Sequence, residues 1–184
     1  MKIYLVGAHS TGKTTILEHI VGRYDINCIR EIARSLITER GESLNEIRSD
    51  IDRCRKFQMD VLKKQILKEK KTGTPFISDR GLDIFAYFAM YANDLHSVLE
   101  EEKARQYLES YKDKDVNTIF VRPHRELIQE DGVREDLTMQ SIYRIDGMVK
   151  YILESNNIDY LSLQSKHLNE RLRFVENILK TNGF

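Results

Sequence analysis

Gly7-Ala8-His9-Ser10-Thr11-Gly12-Lys13-Thr14 follows the apolar run Ile3-Tyr4-Leu5-Val6 and precedes Ile16, Leu17, Ile20 and Val21, which share one helical face. The stretch fits G-x-x-x-x-G-K-[ST] in the strand–loop–helix setting that this pattern requires. Gly7 and Gly12 let the backbone curl round an anion, so that successive N–H groups converge on it. The helix that follows adds partial positive charge at its first turn. Ser10, Thr11, Gly12, Lys13, Thr14 and Thr15 are the expected nucleotide contacts, with Lys13 reaching the β- and γ-phosphates and Thr14 offering its hydroxyl to Mg²⁺. The bland alternative is a glycine turn with an incidental lysine; the flanking strand and helix favour a nucleoside-triphosphate site. His9 sits mid-loop, where side chains usually point to solvent or to a neighbouring loop.

Outward from this loop, short apolar runs alternate with longer helical patterns, as in a parallel α/β sheet. Strands are expected at Ile3 to Val6, Ile26 to Ile29, Phe76 to Ser78, Thr118 to Val121 and Tyr160 to Leu163. Between them the spacing predicts a helix from Glu31 to Arg40 and a long one from Asn45 to Lys70. The latter carries Ile47, Ile51, Cys54, Phe57, Val61, Leu62 and Ile66 on one stripe. Leu82 to Ala92 is apolar nearly all round and reads as a buried helix. Further helices are expected from Val98 to Tyr111, from Leu137 to Glu154, and at the end of the chain around Leu168, Leu172, Val175 and Leu179. Strands this short would also suit a mixed sheet, but the crossover helices favour parallel pairing. The expected architecture is an α/β phosphate-loop NTPase or kinase fold: one domain over residues 1–184, a mostly parallel sheet flanked by helices, and a lid at about residues 122–140.

The 184 residues hold 29 Lys+Arg and 29 Asp+Glu, a net charge of zero, which excludes a generally basic nucleic-acid coat protein and an acidic tail protein. At 41% apolar residues there is enough for a core. Met1 to Val6 is too short and too soon interrupted by Gly7 to read as a signal peptide. No apolar run approaches the ~20 residues that span a bilayer. Cys28 and Cys54 stand apart without metal-ligand spacing and read as reduced packing residues of a cytoplasmic protein.

In an open α/β sheet, ligands gather beyond the carboxyl ends of the strands. There the sequence places Arg30-Glu31-Ile32-Ala33-Arg34 and Ser78-Asp79-Arg80-Gly81-Leu82-Asp83. Asp79, closing an apolar strand, suits a Mg²⁺-orienting carboxylate, and Arg80 a clamp on a phosphoryl group or acceptor. Glu31 suits a base for an attacking hydroxyl. Both carboxylates would also serve as ordinary helix-start acids beside an arginine. Asp83, in an apolar helix, reads as a group that satisfies a buried partner. Between the fourth strand and the next helix, Gln129 to Asp136 suits a flap over the phosphates, with Gly132 as its turn and Arg134 as its cation. Arg122, Arg125 and Arg144 are lesser candidates, and a solvated surface turn is the alternative.

Taken together, GAHSTGKTT, REIAR, SDRGLDIFAY and DGVRE resemble a family of small, AAA-type P-loop ATPase/kinase domains, whose best-known members look like the nicotinamide-riboside kinase (NadR-like) domain. The resemblance runs from Lys2 to about Leu163. It implies ATP·Mg²⁺ at the loop and phosphoryl transfer to a nucleoside-like hydroxyl. It carries over to Gly7, Gly12, Lys13 and Thr14, and further to Glu31, Arg34, Asp79, Arg80 and Arg134. The H-x-G-H signature of the bifunctional members' nucleotidyltransferase domain does not occur.

Three functions fit these residues. The first is a kinase for a small nucleoside, nucleotide or riboside acceptor. The second is an ATPase switch acting on a protein partner, though no residue is marked out to position the attacking water. The third is a polynucleotide-end kinase, suggested by eight Lys+Arg against two acids between Arg53 and Lys71. That basic run is balanced elsewhere, with seven acids against four bases from Asp94 to Asp115. It reads more simply as the solvated face of an amphipathic helix.

Overall fold

Alternation along the first strand sets up the two layers of the fold. In the computed structural model, which describes residues 1–127 and 138–184, β1 (Lys2–Val6) lies at the centre of a five-stranded sheet. Ile3 and Leu5 face one side, Tyr4 and Val6 the other, as a two-residue period demands. The remaining strands are β2 (Asn27–Ile29), β3 (Phe76–Ser78), β4 (Val116–Val121) and β5 (Leu161–Leu163). Their order is β2-β3-β1-β4-β5 and every pairing is parallel, with Lys2 in register with Phe76 on one side and Val116 on the other. All five strands therefore end at the same edge, and the loops after them share one face of the molecule.

Helices α1 (Lys13–Val21) and α9 (Leu168–Thr181) cover one side, packing Ile16, Ile20, Val175 and Leu179 on Ile3, Leu5 and Val121. The other side carries α2 (Ile32–Arg40), α3 (Leu44–Arg48), α4 (Ile51–Thr72), α5 (Ile84–Tyr87) and α8 (Met139–Ser155), whose apolar faces meet Tyr4, Val6, Phe76 and Phe120. Between α5 and β4 lie a π-helical turn at Phe88–Ala92, then α6 (Leu95–Glu100) and α7 (Glu102–Glu109). Among the described residues no helix is long and apolar enough to cross a membrane.

Three expected helices are divided. The stripe from Asn45 to Lys70 breaks because two polar residues cap separate helices. Ser43 forms a capping box with Glu46 at the start of α3, and Asp50 turns extended to accept the Arg53 N–H at 2.7 Å at the start of α4. The break leaves Ile51 61% exposed, so it is not part of the buried stripe. The stretch 98–111 breaks at Glu101, which is extended, and Leu82 to Ala92 changes from α to π geometry at Phe88.

Behind β3, a buried polar network fixes the loop that follows. Glu69 of α4 accepts hydrogen bonds from Tyr107 at 2.6 Å, Gln65 at 2.8 Å and Tyr4 at 2.9 Å. The Tyr111 hydroxyl lies 3.1 Å from that of Tyr107 and accepts the Leu82 N–H at 2.9 Å. Burial raises the Glu69 carboxyl above its ordinary value, against the pull of the three donors.

Candidate functional site

The loop after β1 is shaped by two glycines. Gly7 has φ +148°, and a Cβ there would stand 2.5 Å from the Val121 carbonyl oxygen of β4. Gly12 closes the loop at φ +84°, immediately before α1. Between them Thr11 donates to the Ala8 carbonyl at 3.0 Å, and Ser10 turns the chain at φ 57°. Lys13 is buried with its Nζ donating to the carbonyls of Gly7 at 3.0 Å and Ala8 at 2.6 Å. Burial lowers its pKa to about 8, opposed by the nearby charge of Asp83. Thr14 and Thr15 are exposed in the first turn of α1.

Across the loop, the Thr14 hydroxyl donates to Asp79 Oδ2 at 2.9 Å. Asp79 Oδ1 is buried and has no hydrogen-bond partner among the described residues. Burial raises this carboxyl, with Arg80 pulling the other way. A buried, under-satisfied carboxylate oxygen beside a hydroxyl is a hard-oxygen donor set that fits Mg²⁺, whose other ligands are commonly phosphates and waters. Thr14 and Asp79 are the residues that would hold it.

Beside this pair, Arg80 is buried and joins Glu31 in an ion pair, with Asp83 at 3.4 Å from its second nitrogen. Its guanidinium also lies 4.8 Å from the Tyr87 ring centroid. Burial opposes the charge, but Glu31, Tyr87 and Asp83 outweigh it and hold Arg80 protonated. Asp83 is fully buried and accepts the Gly81 N–H at 2.7 Å, so it does satisfy buried partners. Glu31 sits at the start of α2 and takes Arg34 as a second partner at 3.2 Å.

Glu31, Arg34, Arg80 and Tyr87 line a cleft of about 600 Å³, part of it open to solvent. Its apolar wall includes Phe57, Val61, Ile84 and Tyr87, and its polar groups are His9, Glu31, Arg34, Arg48, Gln58 and Arg80. His9 corrects the sequence reading: it is only 5% exposed, with Nδ1 3.3 Å from the Tyr87 hydroxyl. It borders the cleft from the phosphate loop. The strand ends thus bring Lys13, Thr14, Asp79, Arg80 and Glu31 together. Arg134 and most of the expected lid fall in residues 128–137, outside the described residues. Arg122 instead forms a two-pronged pair with Asp146 of α8, and Arg125 and Arg144 are exposed. On α4, three cations of the basic run are paired: Arg53 with Glu42, Arg55 with Asp94 and Lys64 with Glu39.

The sequence reading missed Gln58, Arg48 and Tyr87. The signal for Gln58 was a polar residue inside an apolar stripe, next to Phe57 and three residues before Val61.

The sequence matches the family model described as an AAA domain over residues 2–171. The chain belongs to that family. No curated protein matches it. Among solved structures, this AAA domain is similar to a NadR protein in complex with NR, with a TM-score of 0.70 and 18% identity, covering 100% of this chain and 52% of that one. It thus spans about half the length of the NadR chain that it matches. It is also similar to deoxyadenosine kinase from M. mycoides with bound dCTP (TM-score 0.67, 17% identity, 98% of this chain and 100% of that one). Shikimate kinase from Acinetobacter baumannii in complex with shikimate follows (TM-score 0.61, 14% identity, 100% and 94%). These likenesses show that the AAA domain has the fold of the P-loop kinases.

Proposed function

We propose that the protein transfers the γ-phosphoryl group of ATP, with Mg²⁺, to a hydroxyl of a small nucleoside-, nucleotide- or riboside-like acceptor. The observation that carries this reading is the cleft: a partly open, largely apolar space with the Glu31–Arg80 pair on its wall and the phosphate loop's His9 at its border. That two of the similar structures are kinases of small molecules supports it.

The loop N–H groups and Lys13 bind the β- and γ-phosphates, and Thr14 and Asp79 would hold the metal. Bound Mg²⁺ would neutralise charge on the transferring phosphoryl. Glu31 orients the acceptor hydroxyl and takes its proton as the new oxygen–phosphorus bond forms and the bond to ADP breaks. Arg80 fixes the Glu31 carboxylate and offers positive charge beside the acceptor. Gln58 gives an otherwise apolar wall one amide, able to donate to and accept from a planar polar edge. Arg134, on the segment between β4 and α8, supplies a further cation to the phosphates. The two free thiols suit work in a reducing cytoplasm.

The test is ATP consumption against a panel of nucleosides, ribosides, nucleoside monophosphates and hydroxy acids, with the phosphorylated product identified by mass. Turnover should depend on one class of acceptor. ATP turnover indifferent to every acceptor would overturn the reading and favour an ATPase switch.

A further inference from the structure

Arg171 of α9 is 1% exposed, yet it is a cation inside the protein. Its guanidinium donates to three backbone carbonyls: Thr11 in the phosphate loop, Arg122 after β4 at 2.9 Å and Ser165 after β5 at 2.5 Å. Among the described residues it takes no carboxylate partner, and burial alone pulls its pKa down. A buried charge without a counter-charge is costly, and here three carbonyls supply the hydrogen bonds that offset the cost.

The Thr11 contact reaches into the phosphate loop. A peptide unit is planar and trans, so its C=O and N–H point in opposite directions. Arg171 draws the Thr11 carbonyl toward α9, which aims the Gly12 N–H the other way. That N–H donates to no backbone carbonyl among the described residues. The guanidinium also polarises the peptide, which strengthens the N–H as a donor. The same side chain stands 3.5 Å from where a Gly12 Cβ would be, so it touches the loop at its tightest turn.

We propose that Arg171 is a positioning residue for phosphate binding: it sets the Thr11–Gly12 peptide so that its N–H faces the polyphosphate, and places a positive charge behind the loop. Resting on the nucleotide site above, this adds a residue some 160 positions from the loop to the machinery that selects phosphate. A purely structural role would affect all ligands of the site alike. A role through the loop acts on ligands in proportion to the phosphate they carry.

The experiment is calorimetric binding of a non-hydrolysable ATP analogue with Mg²⁺, and of adenosine, to wild type, Arg171→Gln and Arg171→Lys. We expect Arg171→Gln to lose roughly tenfold in analogue affinity, the scale of one charge-assisted hydrogen bond, with adenosine affinity unchanged. Arg171→Lys, which keeps the charge without the fork, should recover to within about threefold of wild type. Wild-type affinity in Arg171→Gln, or equal losses for analogue and adenosine, overturns the proposal. Where Arg171→Gln fails to fold, Arg171→Lys decides: a loss of about two- to threefold confined to the analogue supports the role, and no loss, or an equal loss for both ligands, refutes it. A protein that binds the analogue but phosphorylates no acceptor would sink the kinase reading and leave this one standing.

Discussion

Replacing Gly7 by alanine should damage the nucleotide site more than replacing Gly12, although both glycines belong to the same loop. A Cβ on Gly7 meets the Val121 carbonyl oxygen at 2.5 Å, and the gap must widen by about 0.9 Å to reach an ordinary contact of 3.4 Å. The obstacle is strand backbone that pairs with β1, so the loop and not the strand must yield. The φ of +148° adds strain of about 1–3 kcal/mol for a residue with a side chain. For a chain of this size that corresponds to a fall in Tm of roughly 3–10 °C. Moving the loop by that distance also misaims its N–H groups, and a shift near 1 Å costs about a hundredfold in a positioned reaction. Gly12→Ala meets only Arg171 at 3.5 Å, an ordinary contact, and suffers the φ strain alone. Thermal unfolding and analogue binding on the two variants measure both terms. Gly7→Ala binding within twofold of wild type, or Gly12→Ala proving the weaker binder, would refute the packing argument.

Lys13, with its pKa lowered to about 8 by burial, links binding to pH. The free protein should gain stability as pH rises above about 8, where the unfolded chain holds more protons than the folded one. Phosphate favours the ammonium, so binding of the ATP analogue at pH 8.5 should take up a proton, seen by calorimetry in buffers of different ionisation enthalpy; no uptake would count against Lys13 as the phosphate cation. Glu69 is raised above its ordinary 4.5, so the folded state keeps that proton longer and stability falls as pH rises through this window. Urea unfolding from pH 4.5 to 7 should show a flatter slope in Glu69→Gln, and an unchanged slope would place the titration elsewhere. Glu31→Gln should lower turnover roughly 10²–10⁴-fold while leaving analogue affinity nearly intact; unchanged turnover would remove Glu31 as the base.

Much of this fold was legible because it rests on local signals. The five strands stand where the apolar runs predicted, within a few residues, and the phosphate loop lies where its glycines and Lys13 placed it. Asp79 and Glu31 were found by a topological rule, since parallel strands put their carboxyl ends on one side. What escaped depends on contacts remote in the sequence. The strand order is set by packing on two faces, which no window of residues contains. His9 turns inward because Tyr87, 78 residues away, receives it. Arg171 is a charge on an amphipathic helix, a residue type that ordinarily faces solvent. Only its position one residue before Leu172 and four before Val175 marks it as part of the buried face.

The separate capping of α3 has an evolutionary consequence. Leu44 and Arg48 of this five-residue helix line the cleft, and Arg48 lies 3.8 Å above the Tyr91 ring. Because Ser43 starts α3 and Asp50 starts α4 independently, the outward residues of the short helix can change while Ile47 holds it to the core. Substitution at Leu44 or Arg48 reshapes the cleft wall while α4 goes on carrying Phe57, Gln58 and Glu69. A lineage can therefore reshape this cleft through a handful of codons, without touching the phosphate loop.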